Sequence, residues 1–324
     1  MPKRNKRKKK SFIGRVFYAL CFAVFVYFGV TALSYADTLK FAQVSDVHLS
    51  DRTVDTSYKV IASSDSLLKD VIEQINTGAD LDFVIVTGDL ADEPVKPLLS
   101  KACDRMNDLR FPWYFAFGNH DAGVGTNFQK PQYFNYVQKH NKNMNFEHRY
   151  YSFVPKKGYR IIVLDATIDS RVTSNGELPK EQLDWLDGQL CEAQKANQLP
   201  LMFLHHPVKE PFPSYNHRLI NASEFKAVLD KYKMPMAIFS GHYHAARIYK
   251  EDNVLHVSSP SLVTYPCAFR VVSVTNLKNK VVFTFDFKET NLKDVQKKAK
   301  LMTFSSGTYR GEDSDRDTIV TLDK

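Results

Sequence analysis

Five short apolar runs in this chain end the same way, each delivering an Asp, Asn or His just past its last hydrophobic residues. Phe41-Ala-Gln-Val leads to Ser45-Asp46-Val47-His48, and Phe83-Val-Ile-Val-Thr leads to Gly88-Asp89. Trp113-Tyr-Phe-Ala-Phe leads to Gly118-Asn119-His120-Asp121. Leu201-Met-Phe-Leu leads to His205-His206-Pro207, and Met236-Ala-Ile-Phe-Ser leads to Gly241-His242-Tyr243-His244. In open α/β sheets the loops past the carboxyl ends of the strands line the ligand crevice. Strands laid side by side would therefore gather these five loops in one place.

The intervening sequence supports α/β architecture, because the apolar runs alternate with amphipathic helical patterns. Strands are expected at residues 39–47, 83–87, 113–117, 160–164, 201–204 and 236–239. Leu67, Leu68, Val71, Ile72 and Ile75 fall on one helical stripe. Further helices are expected at residues 97–109 and 181–195, the latter with Leu183, Leu186 and Leu190 in register. Residues 150–154 and 159–164 read as a hairpin. After residue 250 the pattern changes: 254–257, 269–274 and 281–287 read as antiparallel strands of a second sheet. Residues 290–324 are rich in charge and small polar side chains and read as a solvated tail with little structure. The expected division is a targeting segment at 1–36, one domain at 37–289 and a tail at 290–324.

The spacings suit metal ligation. Residues i and i+2 of an extended stretch point the same way, so Asp46 with His48, and His242 with His244, can each offer two ligands to one cavity. Carboxylate and imidazole donors suit Mn, Fe, Zn or Co. Asp46, His48, Asp89, Asn119, His205, His242 and His244 are too many ligands for one ion, which points to two. Paired ions about 3.5–4 Å apart clamp an in-line displacement at phosphorus.

Taken together, Asp46-x-His48, Gly88-Asp89, Gly118-Asn119-His120-Asp121, His205 and Gly241-His242-x-His244 resemble the signature of the calcineurin-like metallophosphoesterases, in that family's order. The resemblance implies a sandwich of two mixed β-sheets flanked by helices. It also implies that Asp46, His48 and His244 bind a first metal, that Asp89 bridges, and that Asn119, His205 and His242 hold a second. The family's single His stands two residues before the Pro, which selects His205 over His206. His206 is then expected to pack or to support a ligand. Attack of a metal-bound hydroxide on a phosphoester follows from that site. His120 is the candidate for contacting the phosphoryl group and protonating the leaving oxygen, and Asp121 for orienting its ring. Asp92 is either a carboxylate at a helix start or a support for the site.

The stretch from Gly176 through Gln182, Leu183, Trp185 and Leu186, followed by His205-His206-Pro207, resembles the branch containing cyclic-nucleotide and glycerophosphodiester phosphodiesterases. Purple acid phosphatases carry a Tyr ligand three residues after the bridging Asp, and here that position is Asp92. A small phosphodiester is the expected substrate. A phosphomonoester, a lipid-linked phosphoester and a non-catalytic metal-binding role are the alternatives.

Charge and targeting complete the reading. The chain has 44 Lys and Arg against 36 Asp and Glu. Eight of those bases and no acid lie in residues 1–36, so the remainder is balanced at 36 against 36. A balanced globular part lacks the electrostatic attraction that dominates nucleic-acid binding. The basic start precedes an uncharged apolar block at residues 16–33, then Ser34-Tyr35-Ala36. This arrangement fits a cleaved signal peptide or an uncleaved membrane anchor. Both place the catalytic part outside the cytoplasm. The four cysteines are scattered without metal-ligand spacing. His140, His148 and His256 match no block and are expected on the surface or in packing. The Pro-flanked loop from Pro211 to His217 is a candidate wall for the site. Asn221 and Glu224 read as a helix-capping pair.

Overall fold

A computed structural model of the protein describes residues 38–324, of which 39–324 form one compact unit. The expected signal peptide or anchor lies outside the described residues. Among those described, no helix is long and apolar enough to cross a membrane.

Two six-stranded sheets face each other. The first is built from β1 (Thr38–Val44), β2 (Phe83–Thr87), β3 (Trp113–Ala116), β10 (Ala268–Asn276), β11 (Lys280–Glu289) and β12 (Thr318–Asp323), in the order β12-β11-β10-β1-β2-β3. The second contains β4 (Tyr151–Phe153), β5 (Tyr159–Val163), β6 (Leu199–Phe203), β7 (Met236–Ser240), β8 (Arg247–Glu251) and β9 (Val254–Ser258), in the order β4-β5-β6-β7-β9-β8. Each sheet is mixed: β1, β2 and β3 pair in parallel, as do β5, β6, β7 and β9, while hairpins add antiparallel strands.

The continuous apolar runs are explained by burial on both faces of the second sheet. Ile161, Val163, Leu201, Phe203, Ala237 and Phe239 point between the sheets. The alternate residues Ile162, Leu164, Met202, Leu204, Met236 and Ile238 point outward. There they meet Leu183, Leu186 and Leu190 of one helix and Phe225, Val228 and Leu229 of another. The helices, in chain order, are α1 (Ser64–Thr77), α2 (Lys96–Met106), α3 (Lys130–His140), α4 (Lys180–Lys195), α5 (Ala222–Leu229), α6 (Lys293–Met302) and α7 (Ser306–Arg310). The Leu67-to-Ile75 stripe of α1 is buried as expected.

Under the five loops, the sheets are locked by aromatic packing. Phe41 of β1 stacks on Phe83 of β2 at 5.2 Å and meets Phe239 of β7 edge-on at 5.2 Å. Phe203 of β6 stacks on Phe239 at 5.0 Å. Such pairs contribute about 0.5–1.5 kcal/mol each beyond their buried area. Two residues along β1, Gln43 Nε2 donates across the gap to the Ser240 carbonyl at 3.0 Å.

The C-terminal residues depart from the expected loose tail. Helix α6 lays Val295, Ala299 and Met302 against Val60, Leu67, Val263 and Cys267, and β12 pairs along β11 with Leu322 buried. A surface helix and an edge strand need only a narrow apolar stripe, so charged composition concealed both.

Candidate metal centre

Backbone bonds draw the first two loops together. Asp46 N–H donates to the Gly88 carbonyl at 3.1 Å, and His48 N–H to the Asp89 carbonyl at 2.8 Å. Gly241 N–H donates to the His205 carbonyl at 3.0 Å, joining the loops after β6 and β7. Across the sheets, His242 N–H reaches the Asp46 carboxylate at 3.1 Å. The backbone is strained where these loops meet. Asp46, His48, Asp89, His242 and His244 all hold positive φ, between +44° and +69°, a region few residues other than glycine adopt. Strain of this kind persists where the surrounding structure fixes it, and it gathers at functional sites. Gly241 is required for a different reason: a Cβ there would collide with Ser45 Oγ and the Asp46 carboxylate.

The expected ligands form two buried triads. Asp46, His48 and His244 make one, and Asp89, His205 and His242 make the other, with ligand atoms in each within 4.8 Å of one another. Asp89 stands between them: its Oδ2 is 3.5 Å from His48 Nε2 and 3.4 Å from His205 Nε2. Asn119 joins the second group, its Oδ1 lying 3.2 Å from His205 Nε2.

These residues fit a pair of cations. His205 Nδ1–H donates to the Thr87 carbonyl at 2.8 Å, so in the neutral ring Nε2 carries the lone pair. That lone pair faces His242 Nδ1 at 3.0 Å, Asn119 Oδ1 at 3.2 Å and Asp89 Oδ2 at 3.4 Å. Several acceptors turned on one point repel one another unless positive charge sits among them. With no ion bound, burial pushes the His205 pKa down, but Asp89 and Asp46 outweigh it and hold it up at about 9, so a proton on Nε2 then supplies the positive charge that a cation would displace. Burial holds His48, His242 and His244 below the usual imidazole range, the neutral form that ligates. Two carboxylates, four imidazoles and an amide oxygen suit Mn, Fe, Zn or Co.

His120 is positioned by different contacts from those expected. Its Nδ1–H donates to the Asp92 backbone carbonyl at 2.7 Å, and its backbone N–H to Asp89 Oδ1 at 2.9 Å. Asp121 does not hold the ring. Its Oδ2 accepts Asp89 N–H at 2.8 Å and Gly118 N–H at 2.9 Å, and its Oδ1 accepts the Tyr133 hydroxyl at 2.6 Å. The carboxylate therefore turns under the loop and anchors backbone, because the short 3₁₀ turn at Asn119–Asp121 sends adjacent side chains in different directions. Burial and the adjacent Asp89 charge push its pKa upward. Asp92 takes the supporting role, its Oδ1 lying 3.3 Å from His48 Nδ1, as carboxylates beside ligating imidazoles do.

His206 packs against both His205 and His242, its Nε2–H donating to the Ser174 carbonyl at 3.2 Å. The loop from Pro211 to His217 does wall the site, with the His217 ring 5.3 Å from His242. Asn221 starts α5 without capping it; its side chain pairs instead with the Leu178 backbone at 2.8 and 3.0 Å. Two residues without a sequence signal also stand at the site. Tyr58 lies ring to ring with His244 at 5.7 Å, and Lys59 Nζ is 3.2 Å from His48 Nε2. Their stretch has neither apolar periodicity nor a metal-like spacing. Beside Asn119 and His120 opens a cavity of about 590 Å³, lined also by Val124, Ile168, Thr173 and Asn216.

Over residues 39–246 the chain matches the family model described as calcineurin-like phosphoesterase. It is 26% identical over 225 residues to a 3′,5′-cyclic-nucleotide phosphodiesterase of Nostoc sp., covering 69% of this chain and 78% of that protein. It is 27% identical over 217 residues to a 3′,5′-cyclic adenosine monophosphate phosphodiesterase of Escherichia coli, covering 66% and 70%. Among solved structures, a dimetal phosphatase from Danio rerio shares the fold, with a TM-score of 0.64 at 17% identity over 76% of this chain and 95% of that one.

Proposed function

Because the chain belongs to the calcineurin-like phosphoesterase family, it is a metal-dependent phosphoesterase, and we propose that it hydrolyses a small phosphodiester. The observation that carries the choice of a diester is the similarity, over 225 and 217 residues, to two cyclic-nucleotide phosphodiesterases. The 590 Å³ cavity beside His120 gives room for the group that leaves. No Lys or Arg lines it, which favours an uncharged substituent over a second phosphate.

In this proposal Asp46, His48 and His244 would hold one ion and Asn119, His205 and His242 the other, with Asp89 standing between the two groups as a ligand within reach of either. When bound, the pair supplies positive charge to the phosphoryl oxygens and acidifies the attacking water. The identity of the ions as Mn, Fe, Zn or Co is part of the proposal. The protein's own work is positional. The Asp92 carbonyl holds His120 Nδ1–H, so in the doubly protonated ring Nε2–H is the proton given to the leaving oxygen, and the ring is left with its proton on Nδ1. Asp121 and Tyr133 hold the Gly118–Asp89 backbone so that Asn119 and Asp89 face the same ion. Placement outside the cytoplasm also belongs to the proposal, supported by the basic run and apolar block at the N-terminus.

The test is a rate ratio on the metal-loaded protein. Bis-(p-nitrophenyl) phosphate should turn over at least as fast as p-nitrophenyl phosphate. Faster cleavage of the monoester would favour a phosphomonoesterase. Bound metal with neither substrate cleaved would favour a binding protein.

A further inference from the structure

The chain beyond residue 246, where the family match ends, returns to the site. Asp315 Oδ1 accepts Ile248 N–H at 2.8 Å, and its carboxylate lies 3.7 Å from Arg247 Nη1. Just upstream, Ala246 N–H donates to the Tyr309 carbonyl at 2.9 Å. Ala246 is two residues past His244, so these bonds fix Tyr309 beside the first triad.

The Tyr309 ring stands 6.0 Å from Tyr58, at 31° to it, and 6.0 Å from Phe212. Tyr58 in turn lies against His244, and Phe212 meets Tyr243 at 5.0 Å. Rings from distant stretches of the chain thus surround the His244 side of the site. Core packing does not account for them. Tyr58, Phe212 and Tyr309 all remain partly exposed, and none joins the apolar clusters of the described residues. Partly exposed aromatic faces beside a phosphoryl site are suited to a flat π-system, whose stacking tolerates different ring identities.

We propose that Tyr309, with Tyr58 and Phe212, forms a stacking wall for a nucleobase carried by the substrate. The C-terminal segment is then a specificity element of the enzyme. This deepens the phosphodiester reading and rests on it for the position of the phosphoryl group.

Adenosine 5′-monophosphate and ribose 5-phosphate differ only by the base, so their binding to the metal-loaded full chain isolates the wall. Calorimetry should show the nucleotide binding about tenfold more tightly, 1.4 kcal/mol, within the range of one base–aromatic stack. Tyr309→Ala should reduce that preference to about twofold or less while leaving ribose 5-phosphate affinity and metal content unchanged. Tyr309→Phe should retain the preference. Tyr58→Leu, on a separate segment, should lose it even where Tyr309→Ala folds poorly. Equal binding of the two ligands by the wild type, or a Tyr309→Ala variant that weakens both alike, would overturn the wall. Failure to cleave any diester would instead count against the phosphodiesterase reading and leave this comparison able to decide.

Discussion

His120 is tied down twice, by its backbone N–H to Asp89 and by its ring to the Asp92 carbonyl. That leaves Nε2 to carry the transferable proton, which it holds when the ring is doubly protonated. His120→Ala should keep metal content near normal and lower turnover by about 10² or more, the scale of general acid catalysis. Loss of both metals in that variant would show that the residue is a ligand instead. Tyr133 makes a contrasting case. Tyr133→Phe leaves Asp121 Oδ1 without its buried donor, which costs about 1–3 kcal/mol. Unfolding should shift accordingly, while turnover falls far less than in His120→Ala because Asp121 keeps its two backbone bonds. A loss of activity as large as that of His120→Ala, with stability unchanged, would put Tyr133 in the chemistry. The metal-capable residues were legible because each follows a strand run. The partners that aim them were not. Tyr133 and Thr87 are joined to the site by folding, and no spacing in the sequence announces it, while Asp92 was legible only as one of two readings.

Strands buried on both faces were the most legible elements, and β2 occupies the stretch its apolar run marks. Edge elements were less so. Strand β8 is mostly half-buried with Lys250 exposed, and α3 buries only the stripe of Tyr133, Phe134 and Val137 beside Lys130. Neither carries a long hydrophobic period. Strand β9 does, yet it includes His256, buried between β7 and β8. Burial, aided by Lys209 and Lys226, lowers its pKa to about 4 against the opposing pull of Glu251. The folded state therefore binds fewer protons than the unfolded state between pH 6.5 and 4. The corresponding stability is fully present above pH 6.5 and is lost as pH falls through that window, up to about 3 kcal/mol. His256→Gln should unfold with a smaller difference between pH 7 and pH 4.5 than the wild type does. Identical differences in the two proteins would mean that His256 is not buried in its neutral form.

Two sheets pressed together by Phe41, Phe83, Phe203 and Phe239 place the carboxyl ends of β1, β2, β6 and β7 at one edge of the sandwich. Ligands drawn from positions as distant as Asp46 and His244 meet there because the same strands build both the core and the site. The charge-rich C-terminus belongs to this arrangement too, as an added strand and as the segment that carries Tyr309 to the rim.

Anomalous X-ray diffraction from crystals grown with Mn²⁺ tests the central claim most directly. Two peaks per chain, about 3.5–4 Å apart, are predicted: one among Asp46, His48 and His244, the other among Asn119, His205 and His242, with Asp89 reaching both. A single peak, or peaks away from these residues, would contradict it.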